Sequence, residues 1–202
     1  MKFPRTPHIQ GSNATEDDIF ACVDKTLIDT GKFIATEKMD GSNVTIDKHG
    51  AYARNGKTPS AEWFYPARDL YHHIGYILDE NITIAGELLT WRKCIAYENL
   101  PSEFLVFSII DGDTVLSWND TVEYAELLGM QTVQILATGD YSTVIQESLS
   151  VLEHNKNTME GFVIRNQEAF PIDHYASHVA KYVGQWHQPV AGNNGRNEIM
   201  NI

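Results

Sequence analysis

Apolar positions along this chain alternate with polar ones more often than they recur at helical spacing. Residues 33–38 read as a strand running from apolar to charged, and 44–47 and 51–54 alternate around Lys48-His49-Gly50, the pattern of a β-hairpin. Residues 81–89 and 104–111 are strand-like, and the second turns at Asp111-Gly112-Asp113 into 115–117. A short apolar strand is predicted over 132–136, and the last strands over 159–165 and 178–183. Helix is predicted over 15–26, with Thr15 as its cap, acids in its first turn and Lys25 near its end. It is predicted again over 60–78, where Pro66 argues against an unbroken helix. Residues 120–128 form a third, with Asn119 as cap and Gly129 as stop, and 141–153 a fourth. Mostly antiparallel strands with a few interspersed helices predict an α+β fold rather than a doubly wound sheet.

Composition narrows this to one domain. The chain has 202 residues, 43% of them hydrophobic, enough for a sizeable core, with no repeat and no Pro/Gly/Ser linker dividing it. The expected domain fills 1–184, followed by a loosely ordered tail over 185–202 that contains Gly192-Asn193-Asn194-Gly195. No stretch approaches the ~18 apolar residues of a membrane span, and the first residues lack the apolar core of a secretory signal. A cytoplasmic location is therefore expected. Cys22 and Cys94 form no C-x-x-C and read as two buried thiols rather than a disulfide or metal site.

The net charge of −12 argues against indiscriminate binding of nucleic acid, which clustered Lys and Arg would hold. Acids crowd at Glu16-Asp17-Asp18, whereas Arg54, Lys57, Arg68, Arg92, Lys93, Arg165 and Lys181 fall in or near the segments that carry chemistry. The expectation is a basic groove on an acidic body.

The chemistry centres on Lys38-Met39-Asp40-Gly41, a lysine at a strand end before a tight turn. A lysine amine attacks phosphorus only when unprotonated, and at an ordinary pKa of ~10.4 fewer than about one in a thousand are neutral near pH 7. A nucleophilic lysine therefore needs burial or a neighbouring cation, for which Lys181 is the candidate. Alone, K-x-D-G describes many exposed lysines. Here it is followed in order by Arg54-Asn55-Gly56, Ala85-Gly86-Glu87, Glu160-Gly161-Phe162-Val163-Ile164-Arg165 and Val179-Ala180-Lys181-Tyr182-Val183. His174 and His178, four apart, have a zinc-like spacing, but the pattern around them is not helical and no cysteine is near. They read as ordinary surface or core histidines, and His72-His73 as part of a helix.

That ordered series resembles the covalent nucleotidyltransferases, the superfamily of ATP-dependent DNA and RNA ligases and mRNA capping enzymes. Residues 37–43 are most similar to the RNA ligases, because DNA ligases and capping enzymes usually carry arginine where this chain has Asn43. The resemblance implies an antiparallel-sheet nucleotidyltransferase domain, the ATP-grasp-like adenylation unit of ligases. Related ligases usually add a C-terminal domain, but the stretch after Lys181 is too short for an OB or helical domain, so none is expected here. It implies RNA ligase activity, with Lys38 attacking the α-phosphorus of ATP and AMP passing to a 5′-phosphate that a 3′-hydroxyl then displaces. By the same resemblance Lys181 serves the α-phosphate. Glu37, Asn43, Arg54, Glu87 and Phe107 bind ATP, with Phe107 stacking on adenine. Glu160 and Asp40 hold the metal, and Lys57, Arg92 and Arg165 contact nucleic acid. The implied cofactors are ATP and Mg²⁺, with Mn²⁺ as substitute, and the implied partners are RNA ends or a nicked duplex, met by a monomer. The family often has a second lysine two residues from Lys181, where this chain has Val179 and Val183. A DNA nick-sealing ligase, a capping guanylyltransferase and a non-catalytic nucleotide- or nucleic-acid-binding module remain alternatives.

Overall fold

The computed structural model of the chain describes residues 2–23 and 25–187. In chain order its strands are β1 (Phe33–Lys38), β2 (Ser42–Asp47), β3 (Gly50–Ala53), β4 (Ile82–Leu88), β5 (Phe104–Asp111) and β6 (Thr114–Val115). They continue as β7 (Gln131–Thr132), β8 (Ile135–Gly139), β9 (Gly161–Asn166), β10 (Phe170–Pro171) and β11 (Val179–Val183). The helices are α1 (Lys25–Thr30), α2 (Tyr65–Ile74), α3 (Trp118–Leu127), α4 (Tyr141–His154) and α5 (Tyr175–His178). The strands form two sheets, in the orders β11-β9-β1-β8 and β10-β6-β5-β4-β2-β3, antiparallel apart from β7 beside β5. The α+β class expected from the sequence is the one found.

Alternation assigns each face. In the first sheet Thr36, Val163 and Lys181 lie in one row across β1, β9 and β11, as do Ile34, Arg165 and Val179. The opposite face, carrying Phe33, Ala35, Phe162, Ile164 and Ala180, packs with Val144 and Leu152 of α4. In the second sheet Val44, Ile46, Ile84 and Val106 pack with Phe64, Ala67 and Ile74 around α2 and with Ala125 of α3. Its other face brings Ala85 and Ile110 against Val163 and Val179 of the first sheet. Helices thus cover the two outer faces, and the two inner faces meet around a cleft.

A β-bulge shapes that cleft. Along β4 and β5, Ala85 pairs with Ser108 but Gly86 pairs with Val106, which leaves Phe107 as the extra residue. The phase shift lets Phe107 and Ser108, consecutive in sequence, both line the cleft. A second device is the N-terminal segment. Lys181 N donates to Pro7 O and Ile9 N to Lys181 O, each at 2.9 Å, so residues 7–9 run along the outer edge of β11. Ser12 secures it, accepting from Val183 N at 2.9 Å and meeting His8 Nδ1 at 2.6 Å.

Several boundaries differ from the pattern-based expectation. The helix expected over 15–26 is displaced to α1, because the Asp18 carboxylate closes a turn on Thr15 N and Thr15 Oγ1 and Phe20 bridges to His8. The strand expected over 132–136 is divided between the sheets. Thr132 belongs to β7, Ile135 and Leu136 to β8, and 133–134 bridge them through Val133 N to Val106 O and Glu37 N to Gln134 O. Ser117, not Asn119, caps α3, accepting from Asp120 N at 3.1 Å. The segment 60–78 is α2 between two 3-10 turns, with Pro66 in the first helical turn where its missing N–H is tolerated. His174 and His178 lie in a helical stretch after all, and their rings stack at 6.2 Å. Cys22 is exposed and Cys94 half-buried, so neither is the buried thiol expected, and neither is disulfide-bonded. No helix among the described residues is long and apolar enough to cross a membrane. Of the expected tail, 188–202 lies outside the described residues, while Gln185–His187 form a turn with His187 N bonded to Gly184 O at 3.0 Å.

Candidate active site

Lys38 ends β1 at the mouth of a cleft of about 930 Å³. Its neighbour across the register is Gly161, so the residue before Gly161 is brought against it. Glu160 Oε1 lies 2.5 Å from Lys38 Nζ, while Glu160 Oε2 is buried with no hydrogen-bond partner among the described residues. Gly161 permits this approach. A Cβ there would sit 1.9 Å from Tyr182 O, inside the backbone of β11. Lys181 lines the same cleft from β11, and burial, then the nearby Lys38 cation, hold its amine below the usual lysine range.

The turn after Lys38 is pinned from three directions. Asp40 N donates to the Tyr97 hydroxyl at 2.7 Å, and burial pushes that phenol up. The buried Asp40 carboxylate accepts Cys94 N at 2.7 Å and Ile95 N at 3.0 Å through one oxygen, Oδ2. Gly41 N donates to Glu87 Oε1 at 3.1 Å, and Gly41 lies so close to β4 that a Cβ would meet Leu88 O at 2.5 Å. Glu87 and Asn43 are register partners on the inner face of the second sheet. Burial raises the Glu87 carboxyl to about 7, against the pull of Lys38 and Lys93. Burial also raises Glu37 to about 7. Asn43 Oδ1 and Ser108 Oγ are buried and unpaired among the described residues, which leaves polar atoms on the cleft floor for a ligand.

The cleft brings together Glu37, Lys38, Asp40, Asn43, Arg54, Glu87, Phe107, Glu160, Lys181 and Arg92. Phe107 stands half-buried, its edge against Phe3 with centroids 5.4 Å apart. The other two expected nucleic-acid contacts, Lys57 and Arg165, are not free cleft cations. Lys57 is exposed at the end of the hairpin and is not part of the cleft wall. Arg165 borders the cleft but is buried at 4% exposure, donating to Phe107 O, Leu116 O and Asn166 O and lying over the Trp118 and Phe170 rings. Burial lowers its pKa to about 10, so it is still charged at neutral pH, but its charge is spent on the protein's own carbonyls. This corrects its expected role. Of the expected basic groove, Arg54, Arg92, Lys93 and Lys181 line the cleft, whereas Arg68 bonds Pro59 O outside it.

Sequence reasoning missed Phe3, Pro4 and Thr6, which line the cleft from the N-terminal segment, and Tyr97, Cys94 and His187, which surround Asp40. None stands in a recognisable motif. Only the topology brings them there.

The carboxylates fit a hard divalent cation. Magnesium takes one or two protein carboxylates together with phosphate oxygens, and Glu160 Oε2 is a buried oxygen with nothing to pair with among the described residues.

The profile of the RNA ligase family matches residues 31–183. The chain belongs to the RNA ligase family. No sequence among curated proteins matches it significantly. Similar folds occur in an archaeal ATP-dependent RNA ligase (15% identity, TM-score 0.62, 91% of this chain and 48% of that one). They also occur in a putative ATP-dependent DNA ligase from Aquifex aeolicus (20%, 0.61, 91% and 50%). An RNA ligase from Naegleria gruberi with pyrophosphate is a third (20%, 0.52, 88% and 59%), and variants of that protein have been solved with ATP and Mn and with AMP and Mn. The chain spans about half the length of these ligases. At such identities the likeness is one of fold, the antiparallel nucleotidyltransferase-like domain of this RNA ligase family member.

Proposed function

We propose that this chain is an ATP-dependent RNA ligase working through a lysyl-AMP intermediate. The observation that carries the proposal is Lys38 Nζ held against Glu160 in a cleft that Lys181 also lines. Lys38 Nζ attacks the α-phosphorus, forming a P–N bond as the P–O bond to pyrophosphate breaks. A 5′-phosphate oxygen then attacks that phosphorus, breaking the P–N bond and returning the amine. A 3′-hydroxyl finally attacks the 5′-phosphorus, and AMP leaves with its bridging oxygen. Lys181 stabilises charge on the α-phosphate as the first bond forms. Phe107 offers a face to adenine, Glu87 and Asn43 meet the ribose and phosphates, and Arg54 and Arg92 approach the strand ends. Glu160 and Asp40 would hold Mg²⁺ or Mn²⁺, whose chemistry is to neutralise phosphate charge.

Incubation with α-labelled ATP and Mg²⁺, followed by denaturing electrophoresis, tests this. Label should stay on the parent protein and vanish in Lys38→Ala. Equal labelling of both overturns the assignment, and comparable labelling by α-labelled GTP moves it to the capping enzymes.

A further inference from the structure

Beside the nucleophile turn lies a second donor set, of different chemistry. Asp40, Cys94 and His187 each bring one ligand atom within 4.8 Å of the others. Asp40 and His187 are buried, at 7% and 6% exposure, and Cys94 is half-buried. We propose that these three residues form a site for a borderline-soft divalent cation, with Zn²⁺ as its representative. The inference does not rest on the nucleotidyl-transfer reading.

The donor types carry the first part of the argument. Thiolate, imidazole and carboxylate are the ligands that zinc takes, whereas magnesium and calcium prefer oxygen alone. Two donors on one zinc ion at ~2.0–2.3 Å lie ~3.3–3.8 Å apart, so the set must close by about an ångström. Three protein ligands leave a fourth position open. Glu160 borders it: its Oε1 is 3.8 Å from His187 Nε2, and its Oε2 is the buried oxygen with no partner among the described residues.

Preorganisation carries the second part. Asp40 Oδ2 accepts the N–H of Cys94 itself, which fixes the two ligands relative to each other. His187 is set by its own N–H to Gly184 O and by Asn13 Nδ2 donating to its carbonyl. The three ligands come from the turn after β1, the 89–103 connection and the turn after β11. An ion there would tie these segments together beside Lys38, and it would draw on the same Asp40 that the ligase reading uses. Zinc would therefore compete with ligation.

Cobalt is the probe that reads the sulfur directly. The tag-free full chain, stripped with a chelator, kept reduced and free of nucleotide, is titrated with Co²⁺, and Zn²⁺ is then added against a chromophoric chelator. One equivalent of Co²⁺ should bind with a thiolate-to-cobalt charge-transfer band, be displaced by Zn²⁺ and persist in millimolar Mg²⁺. Cys94→Ser should abolish the band, His187→Gln should weaken binding at least tenfold, and Cys22→Ser should leave both unchanged. Near-UV circular dichroism checks that each variant is folded. The proposal is overturned by the lack of a charge-transfer band, by a band that survives Cys94→Ser or is lost in Cys22→Ser, by unchanged affinity in folded His187→Gln, or by displacement with Mg²⁺. Labelling of Lys38 does not enter this readout, so the two proposals fail separately.

Discussion

Glu37 adjoins Lys38, and burial raises its carboxyl from 4.5 to about 7. The folded protein therefore holds this proton more tightly than the unfolded chain does. The stability it contributes is complete below pH ~4.5 and is lost as pH rises through about 7. Glu37→Gln keeps the neutral shape at every pH. It should melt higher than the parent at pH 8, by on the order of 2 kcal/mol or ~4–8 °C, with the difference closing near pH 4.5. Parallel melting curves that stay separated by the same amount at both pH values would refute this. At Glu160 the expectation concerns rate. Glu160→Gln should slow formation of labelled protein at least about a hundredfold, equivalent to ~2.7 kcal/mol. Full labelling with only a lowered melting temperature would make the residue structural. Arg165 differs from both, because its guanidinium serves three backbone carbonyls. Arg165→Met leaves those acceptors without a donor and should cost about 2–4 kcal/mol of stability in thermal or denaturant melts. That Lys38, Glu160 and Lys181 line one cleft was legible in the sequence, because each sits in a short motif whose neighbours are fixed by strand register. Arg165 sits in one of those motifs as well, and the motif could not tell an outward arginine from an inward one.

Among the elements, the hairpin of β2 and β3 was readable from alternation around Lys48-His49-Gly50, whereas β1 and β5, buried on both faces over most of their length, were readable as short apolar runs. What alternation could not foresee is the bulge at Phe107, because a one-residue phase shift leaves no composition signature. Nor could it foresee that residues 133–134 pass from one sheet to the other, since an apolar run looks the same whichever sheet receives it. The pairing of β9 with β11 is the most demanding contact. A methyl group at 161 would enter the carbonyl of Tyr182. Gly161→Ala must part those strands, so a loss of at least about 3 kcal/mol is expected in denaturant unfolding, together with loss of Lys38 labelling. Labelling at the parental rate would mean that the strand pair can shift without disturbing Lys38.

For the molecule as a whole, an acidic body with few cleft cations, Arg54, Arg92, Lys93 and Lys181, should grip strand ends locally. Sealing of nicked duplexes should be weak, should fall steeply with added salt and should favour RNA on the 3′-hydroxyl side. Efficient sealing of all-DNA nicks in moderate salt would remove the RNA assignment. The N-terminal segment bears on how copies of this protein behave towards one another. Because residues 7–9 occupy the hydrogen-bonding groups of Lys181, they keep the rim of the first sheet from serving as a template. A chain cut after residue 12 would offer that rim to any extended strand, and sheet rims left open recruit copies of themselves. Such a protein should pass from monodisperse to aggregating in light scattering as its concentration rises, at temperatures where near-UV circular dichroism still shows it folded.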